Sequence, residues 1–172
     1  MATPSIYKLV ARSQRRPYVL SGALPVDCGP DVLNAHPLPA DWAAPAHTLH
    51  GTSYALSDAI AWKESWPLLS ARAIELFDSV APGCGEYRYF TEIKGAPYYL
   101  LNVLATGDPT DPSSCPPLFR QAGLSHILCT SVVPAAVVAH CLTGFAFRDP
   151  FQSETRALFL GKDTNTYPGV LA

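Results

Sequence analysis

Proline is the residue that most restricts how this chain can fold, because 17 of its 172 residues are proline. A proline ring fixes one backbone dihedral and removes the N–H group that an interior helical or sheet position needs. The prolines are spread along the sequence and so exclude long uninterrupted helices. The sequence therefore predicts a loop-rich α+β domain, with a mainly antiparallel sheet and at least two helices packed on it.

The composition excludes several classes of protein. Apolar residues make up 48% of the chain and charged residues 15%, which excludes a disordered chain and a coiled coil. The 12 basic side chains face 14 acidic ones, for a net charge of −2. Nucleic acids and anionic membranes are bound through basic surfaces, so we expect neither as a partner. The length fits a single domain over residues 1–172, with an irregular N-terminal part over residues 1–60.

The cysteines and the N-terminus indicate the compartment. The first residues lack the basic and apolar segments of a signal peptide, so we expect no leader. The cysteine number is odd and no C-x-x-C motif is present, which favours reduced thiols over a disulfide framework. The five cysteines are Cys28, Cys84, Cys115, Cys129 and Cys141. We therefore expect a cytoplasmic protein.

The first half of the chain contains two strand patterns and one helix pattern. Residues 6–10 alternate as an opening strand, and residues 18–20 are a candidate to pair with it. A long connection without a clear period follows over residues 25–51. Apolar residues then recur at helical spacing over residues 69–80, a helix that Ser70 caps and that Pro82-Gly83 ends.

The strongest local signal is a β-hairpin in the middle of the chain. Residues 87–93 alternate in polarity, a turn is expected over residues 94–97, and residues 98–104 are almost continuously apolar. The second strand is therefore expected to be covered on both faces.

Shorter elements are expected towards the C-terminus. Residues 108–114 form a chain of turns, and strands are predicted at residues 118–120, 124–130, 145–147 and 156–160. A helix begins at its cap Ser131, tolerates Pro134 in its first turn and ends at Leu142, with Gly144 as the C-cap.

The residues that carry chemistry form no recognisable active site. His47 and His50 have the spacing of two metal ligands, but no third ligand lies near them in sequence. His140 and Cys141 are adjacent, so they point about 100° apart on a helix. No phosphate loop, nucleophile elbow or zinc-binding motif is present. We expect no catalytic residue, no metal and no cofactor.

Aromatic residues concentrate in one stretch of the chain, where tryptophan and tyrosine alternate with charged residues. Most are expected to pack in the core, but these two residue types are also enriched at the centres of protein interfaces. One face of the alternating strand is left for a partner, either the tyrosine face or the face that carries Arg88 and Glu92. The aromatic residues are Trp62, Trp66, Tyr87, Tyr89, Tyr98 and Tyr99.

A series of segments resembles the immunity proteins of bacterial polymorphic toxin systems, in particular the family typified by a myxobacterial immunity domain. The resemblance runs from residue 62 to residue 149, and we place the family-like core at residues 61–150. The segments are WPLLSAR (66–72), YYLLNV (98–103), the Asp/Ser loop (108–113), LFR (118–120) and LTGFAF (142–147). The tyrosine-rich strand, the FR step and the TGFAF segment are the most specific of them.

The resemblance implies a cytoplasmic protein that binds and neutralises a cognate toxin delivered by type VI or contact-dependent secretion. A standard interface buries about 800 Å² on each partner. The residues predicted to contact the toxin are Trp62, Trp66, Arg88, Glu92, Asp108 and Asp111. Two alternatives remain open: a cysteine-dependent hydrolase or transferase that uses Cys28, Cys84 or Cys115, and an adaptor or chaperone for a secreted effector.

Overall fold

The computed structural model describes residues 5–11, 19–21, 35–50, 56–63, 66–124, 126–150 and 157–159. Eleven strands and two helices lie in this part of the chain. The first half contains β1 (Ile6–Ala11), β2 (Val19–Ser21), β3 (Thr48–His50), β4 (Ala59–Lys63), β5 (Trp66–Ser70), α1 (Ala71–Val80) and β6 (Gly85–Ile93). The second half contains β7 (Ala96–Val103), β8 (Leu118–Arg120), β9 (Ile127–Thr130), α2 (Val132–Ala139), β10 (Phe145–Arg148) and β11 (Ala157–Phe159).

The described strands form three sheets, and every strand pair in them is antiparallel. The five-stranded sheet has the order β11-β10-β1-β9-β8, the four-stranded sheet has the order β4-β5-β7-β6, and β2 pairs with β3. Helix α1 packs on β5 and β7, helix α2 packs on β9, and the two helices contact each other. The predicted α+β class is confirmed, and β11 is the expected strand at a sheet edge.

One hydrophobic core joins both large sheets to both helices. Leu69 and Leu101 come from the four-stranded sheet, Phe147 from the five-stranded sheet, and Phe77 and Val137 from the helices; all five are almost fully buried. Burial of such side chains stabilises the folded state by about 1.5–3 kcal/mol each. This shared core is the main contact between the two halves of the fold.

The N-terminal strand is integral to the fold and confirms the opening strand predicted at residues 6–10. Strand β1 lies between β9 and β10, with Leu9 opposite both Ile127 and Phe147. Its two edges are therefore already paired, so the predicted pairing with the strand near residue 20 is wrong. That strand, β2, pairs with β3 instead. Tyr18 itself lies outside the described residues.

Helix α1 confirms its sequence pattern. Ser70 has an extended backbone and its hydroxyl accepts a hydrogen bond from the N–H of Ala73, so it is the N-cap. Ala73, Leu76 and Phe77 form the buried stripe. Gly83 follows the helix with a positive φ of 71°. The strands β4 and β5 that precede the helix were not predicted.

Helix α2 is shorter than its sequence predicts. It ends at Ala139 rather than at Leu142, and the side chain of Ser131 makes no capping hydrogen bond. Ser131 has helical angles (φ −57°, ψ −18°), whereas a capping side chain requires a non-helical residue. Pro134 lies in the first turn as predicted, where its missing N–H would have no acceptor within the helix.

The chain leaves α2 through a left-handed residue that is not glycine. Cys141 has a φ of 51°. The N–H of Leu142 donates to the carbonyl of Val137 and the N–H of Cys141 donates to the carbonyl of Val138, both at 3.0 Å. These two bonds form a Schellman ending. The prediction that Gly144 caps the helix is therefore wrong.

Gly144 has a different structural function, because it lies against the start of β4. Its φ is 84°, and a Cβ atom at this position would be 2.1 Å from the carbonyl oxygen of Ala59. The preceding carbonyl, that of Thr143, accepts a hydrogen bond of 3.1 Å from the N–H of Ala59. A side chain at residue 144 would separate these two backbone segments.

A polar junction around Asp58 reinforces the same contact. The Asp58 carboxylate accepts hydrogen bonds from the hydroxyl of Ser70 at 3.0 Å and from the N–H of Thr143 at 2.9 Å. Arg72 lies 3.7 Å from the carboxylate and also donates to the carbonyl of His140. The junction therefore links the start of α1 to the turn that follows α2.

Replacement of Gly144 by alanine is expected to lower the free energy of unfolding by more than about 3 kcal/mol, because backbone must move to admit the methyl group. Gly123→Ala is the matched control, since Gly123 has a φ of 77° and no atom lies within 4 Å of the place that a Cβ atom would occupy. This control carries only the left-handed strain of about 1–2 kcal/mol. Urea unfolding of both variants checks the difference, and equal losses would contradict it.

Cys141→Gly is expected to stabilise the protein by about 1 kcal/mol, because glycine adopts the left-handed conformation without a steric penalty. The thiol is exposed, so its loss removes no core packing. Urea unfolding under reducing conditions measures the gain. The control Cys141→Ala keeps the Cβ atom and should show no such gain.

Candidate functional site

The predicted central hairpin is confirmed, with a tighter turn than expected. Strands β6 and β7 pair from Gly85 opposite Val103 to Ile93 opposite Ala96. Only Lys94 and Gly95 lie between the strands, with φ angles of 52° and 78°. Two consecutive positive φ angles are typical of the hairpin turn that matches the natural twist of antiparallel strands.

A β-bulge at Phe90 changes the side-chain pattern of β6. Tyr89 pairs with Tyr99 and Thr91 pairs with Tyr98, so Phe90 has no residue opposite it. Because one extra residue reverses the alternation, Glu92 lies on the same face as Tyr89 rather than on the face of Arg88. The strict alternation predicted for residues 87–93 is therefore wrong beyond Tyr89.

Arg88 is part of a polar cluster that holds an N-terminal segment on the hairpin. Its guanidinium lies 3.2 Å from the Glu86 carboxylate and donates to the carbonyl of Leu38 at 3.1 Å. Glu86 accepts from the N–H of Leu38, and the fully buried Asn102 donates to both Glu86 and the carbonyl of His36 at 2.8 Å. Arg88 was predicted as a partner contact, but its described contacts are within this cluster.

The two tryptophans predicted as partner contacts lie in the core. Trp62 is 4% exposed and Trp66 is 7% exposed, and their ring centroids are 5.0 Å apart in an edge-to-face arrangement. The bulged Phe90 lies 4.7 Å from Trp62, and the ring of His47 lies 4.8 Å from Phe90. These side chains fill the space beneath the N-terminal segment, so a partner contact by either tryptophan is excluded in this conformation.

The opposite face of the hairpin is open towards the tip, whereas Leu101 and Val103 further along β7 are buried in the shared core on that face. Tyr89 is 56% exposed, and its ring contacts that of Tyr99 edge to face at a centroid distance of 5.9 Å. Glu92 is exposed on the same face. Tyr87, further along the strand, is half-buried, and this burial together with the neighbouring Asp78 carboxylate raises its pKa. We call Tyr89, Tyr99 and Glu92 the tyrosine face.

The composition of the tyrosine face was only partly predictable. The sequence marks both tyrosines as members of the aromatic cluster, but not as its exposed members. Pro97 indicates one feature of this pairing. Because proline has no N–H group, it must occupy a position where no hydrogen bond to the neighbouring strand is needed. The bulge that brings Glu92 beside Tyr89 has no comparable signal in the sequence.

A groove runs along the outer edge of β6, beside the tyrosine face. It is lined by residues 42–44 on one side and by residues 87–90 on the other. Strand β6 is the last strand in its sheet, and among the described residues no backbone hydrogen bond reaches its outer edge. We call this feature the edge groove.

Asp108 and Asp111 lie apart from Glu92 and stabilise turns. Glu92 is near the tip of the hairpin, whereas the Asp/Ser loop follows the other end of β7, which is about 20 Å further along the strand. Asp108 accepts from the N–H and hydroxyl of Thr110 at 2.9 Å and 2.7 Å, and Asp111 accepts from the hydroxyl of Ser113 at 2.7 Å. The three acids predicted to act together therefore do not form one surface.

Two of the described thiols, Cys115 and Cys129, have surroundings that oppose nucleophilic chemistry. Burial raises the pKa of Cys129, and burial together with the two nearby aspartates raises the pKa of Cys115. A catalytic thiol needs a lowered pKa and an imidazole within reach. Cys84 is buried in the shared core, and Cys28 lies outside the described residues. No observation in the described part of the chain favours the hydrolase alternative.

Side chains that could bind a metal are dispersed over the described ranges. No group of three or more histidine, cysteine, aspartate or glutamate side chains there is close enough to hold a metal ion. His47 donates from Nδ1 to the carbonyl of Pro45 at 2.8 Å, which occupies one of its two ring nitrogens. Neither of the described helices is long and apolar enough to cross a membrane.

No protein-family model matches the chain, and a comparison with curated proteins finds no match either. The resemblance to bacterial immunity proteins therefore depends on the sequence segments alone.

The acidic turns should make stability depend on pH. Hydrogen bonds from Thr110 and Ser113 lower the pKa values of Asp108 and Asp111 below the ordinary value of 3.8. Their contribution is thus complete above that pH and is lost as the pH falls through the lowered pKa values. The double variant Asp108→Asn/Asp111→Asn should be less stable than the natural protein near neutral pH, with a difference that shrinks in acid.

Chemical unfolding between about pH 2.5 and pH 6 measures that difference. Thr110→Val, which removes one donor to Asp108, should reproduce part of the effect. A difference that stays constant over this range would contradict the assignment.

Proposed function

We propose that this protein is an immunity protein, which binds a cognate bacterial toxin and neutralises it by occupying its surface. The proposal combines the resemblance of residues 62–149 to immunity proteins with the tyrosine face. In this function the protein acts in the cytoplasm of the toxin-producing cell and protects it. The toxin arrives from neighbouring cells by type VI or contact-dependent secretion.

The single observation that carries the proposal is the exposed ring of Tyr89. Tyr89 leaves more than half of its surface in contact with solvent and contacts the half-buried Tyr99. The buried aromatic side chains of the same sheet are Trp62, Trp66, Phe90 and Tyr98. Tyrosine supplies a large contact area at a small entropic penalty and is enriched at the centres of protein interfaces. A free Tyr89–Tyr99 pair on a regular strand is therefore suited to contact another protein.

The chemistry of the tyrosine face also indicates the kind of surface it fits. Two aromatic rings offer apolar area and hydroxyl groups, and Glu92 adds one negative charge at the hairpin tip. Such a face complements an apolar patch that has a lysine or arginine at its rim. If the toxin is a nuclease, its substrate cleft is strongly basic, and a single carboxylate is too small a charge to match it. This face therefore fits a surface beside such a cleft better than the cleft itself.

The proposal is tested by coexpression with the product of the adjacent reading frame. That product alone should arrest growth, and this protein should restore growth and copurify with it. The double variant Tyr89→Ala/Glu92→Lys should fold normally and bind at least tenfold more weakly by calorimetry, since interface centres supply about 2 kcal/mol or more per aromatic residue.

The matched control is Leu124→Ala/Glu75→Lys, which removes an apolar and an acidic side chain at exposed positions outside the tyrosine face. It should bind as the natural protein does. Unchanged affinity of the tyrosine-face variant would remove this face from the interface, and survival without copurification would contradict direct neutralisation.

A further inference from the structure

The outer edge of β6 has the features of a strand-addition site. We propose that the edge groove receives an extended segment of the partner polypeptide, which pairs with β6 as a fifth strand of the four-stranded sheet. This inference rests on the proposed function and specifies how the partner is held. The segment lies between residues 42–44 and the tyrosine face, and it presents a side-chain oxygen to the groove.

The hairpin geometry determines which backbone groups of β6 point outward. In an antiparallel pair, alternate residues direct both backbone groups to the partner strand or away from it. Glu92 is opposite Pro97, which has no N–H, so this is a pair without cross-strand hydrogen bonds. Glu92 therefore directs its backbone N–H and C=O groups outward. The pairings on the other side of the bulge show that Tyr89 and Tyr87 also direct their backbone groups outward.

Two buried donors in the edge groove have no acceptor. Trp42 Nε1 and Arg88 Nε are both shielded from solvent and form no hydrogen bond within the described structure. Both residues line the groove. Buried polar groups are normally hydrogen-bonded, and a shift of either side chain towards the groove would bring its N–H to an oxygen of an incoming carboxylate or amide side chain. The occupant is therefore an extended segment with an aspartate, glutamate, asparagine or glutamine that faces Trp42.

The same edge is poorly suited to a second copy of this chain. Two β6 strands in antiparallel contact would each bring an unpaired Phe90 into the ladder, and bulges are a common device against such self-pairing. A different polypeptide avoids this problem, because its sequence is free to match the bulge.

Strand addition would also connect the edge groove to the tyrosine face. Tyr89 belongs to both features: its backbone points outward from β6 and its exposed ring contacts Tyr99. A strand paired to β6 would place alternate side chains directly beside this ring. Backbone hydrogen bonds would then give affinity, and contacts with the tyrosines would give specificity, as in other cases of β-augmentation.

Residue-resolved hydrogen exchange tests the inference, with the free protein compared with the complex formed by the adjacent reading frame's product. The outward amides of Tyr87, Tyr89 and Glu92 should exchange rapidly in the free protein and be protected at least about tenfold in the complex. The amides of Arg88 and Thr91, which face β7, should be protected in both states. A complex in which the outward amides remain unprotected would overturn strand addition and leave the proposed function intact.

Two further outcomes are informative. Absence of a complex would contradict the proposed function, and strand addition with it. Protection of the outward amides in the free protein at concentrations where it dimerises would overturn the inference in favour of a second copy.

Two variants test the groove itself. Trp42→Phe removes the unpaired donor and keeps the ring, so it should weaken binding by about 2- to 10-fold without loss of stability. Ala43→Trp fills the groove from an exposed position and should reduce binding more strongly, whereas the control Ala139→Trp on α2 should leave binding unchanged. Binding that is unaffected by both groove variants would exclude this groove as the docking site.

Discussion

The bulge at Phe90 is the constraint on which both faces of the central hairpin depend. Without an opposite residue, Phe90 turns inward and its ring packs against Trp62 at 4.7 Å. The residues before it keep Tyr89 on the open face, and the residues after it bring Glu92 to that same face. A single inserted position thus gives the hairpin one face that binds the protein's own segment and a second face whose accessible part near the tip carries Tyr89 and Glu92.

The covered face is held by polar groups that bind the N-terminal segment. Buried Asn102 and half-buried Glu86 together bind the backbone at His36 and Leu38. Each backbone group satisfied in this way avoids a desolvation penalty of about 1–3 kcal/mol. The segment in turn closes over the tryptophan cluster, with Leu38 among its buried residues. The hairpin is therefore fixed on this face by the N-terminal segment, and its other face stays accessible near the tip at Tyr89 and Glu92.

Local signals predicted the local elements well, but not the contacts between distant segments. Helix α1 follows from the spacing of Ala73, Leu76 and Phe77 and from its serine cap, all within one stretch of chain. The position of β1 between β9 and β10 depends on pairing across more than a hundred residues, which no local pattern encodes. The left-handed Cys141 is a similar case, because tertiary packing selected a conformation that cysteine disfavours. The bulge, and with it the composition of the tyrosine face, could not be predicted for the same reason: it depends on pairing that no local pattern encodes.

The division between covered and open residues also separates two kinds of acidic side chain. Asp108 and Asp111 use their hydrogen-bonding capacity within their own loop, so a partner would have to compete with bonds of 2.7–2.9 Å already formed. Glu92 stands on a regular strand, two residues from a buried bulge, and its position is set by backbone pairing rather than by its carboxylate. Binding is strengthened when the contact groups are already ordered and still unsatisfied. Among the three acids predicted to contact a partner, Glu92 alone meets both conditions, and it does so because the core beneath it is closed by Phe90.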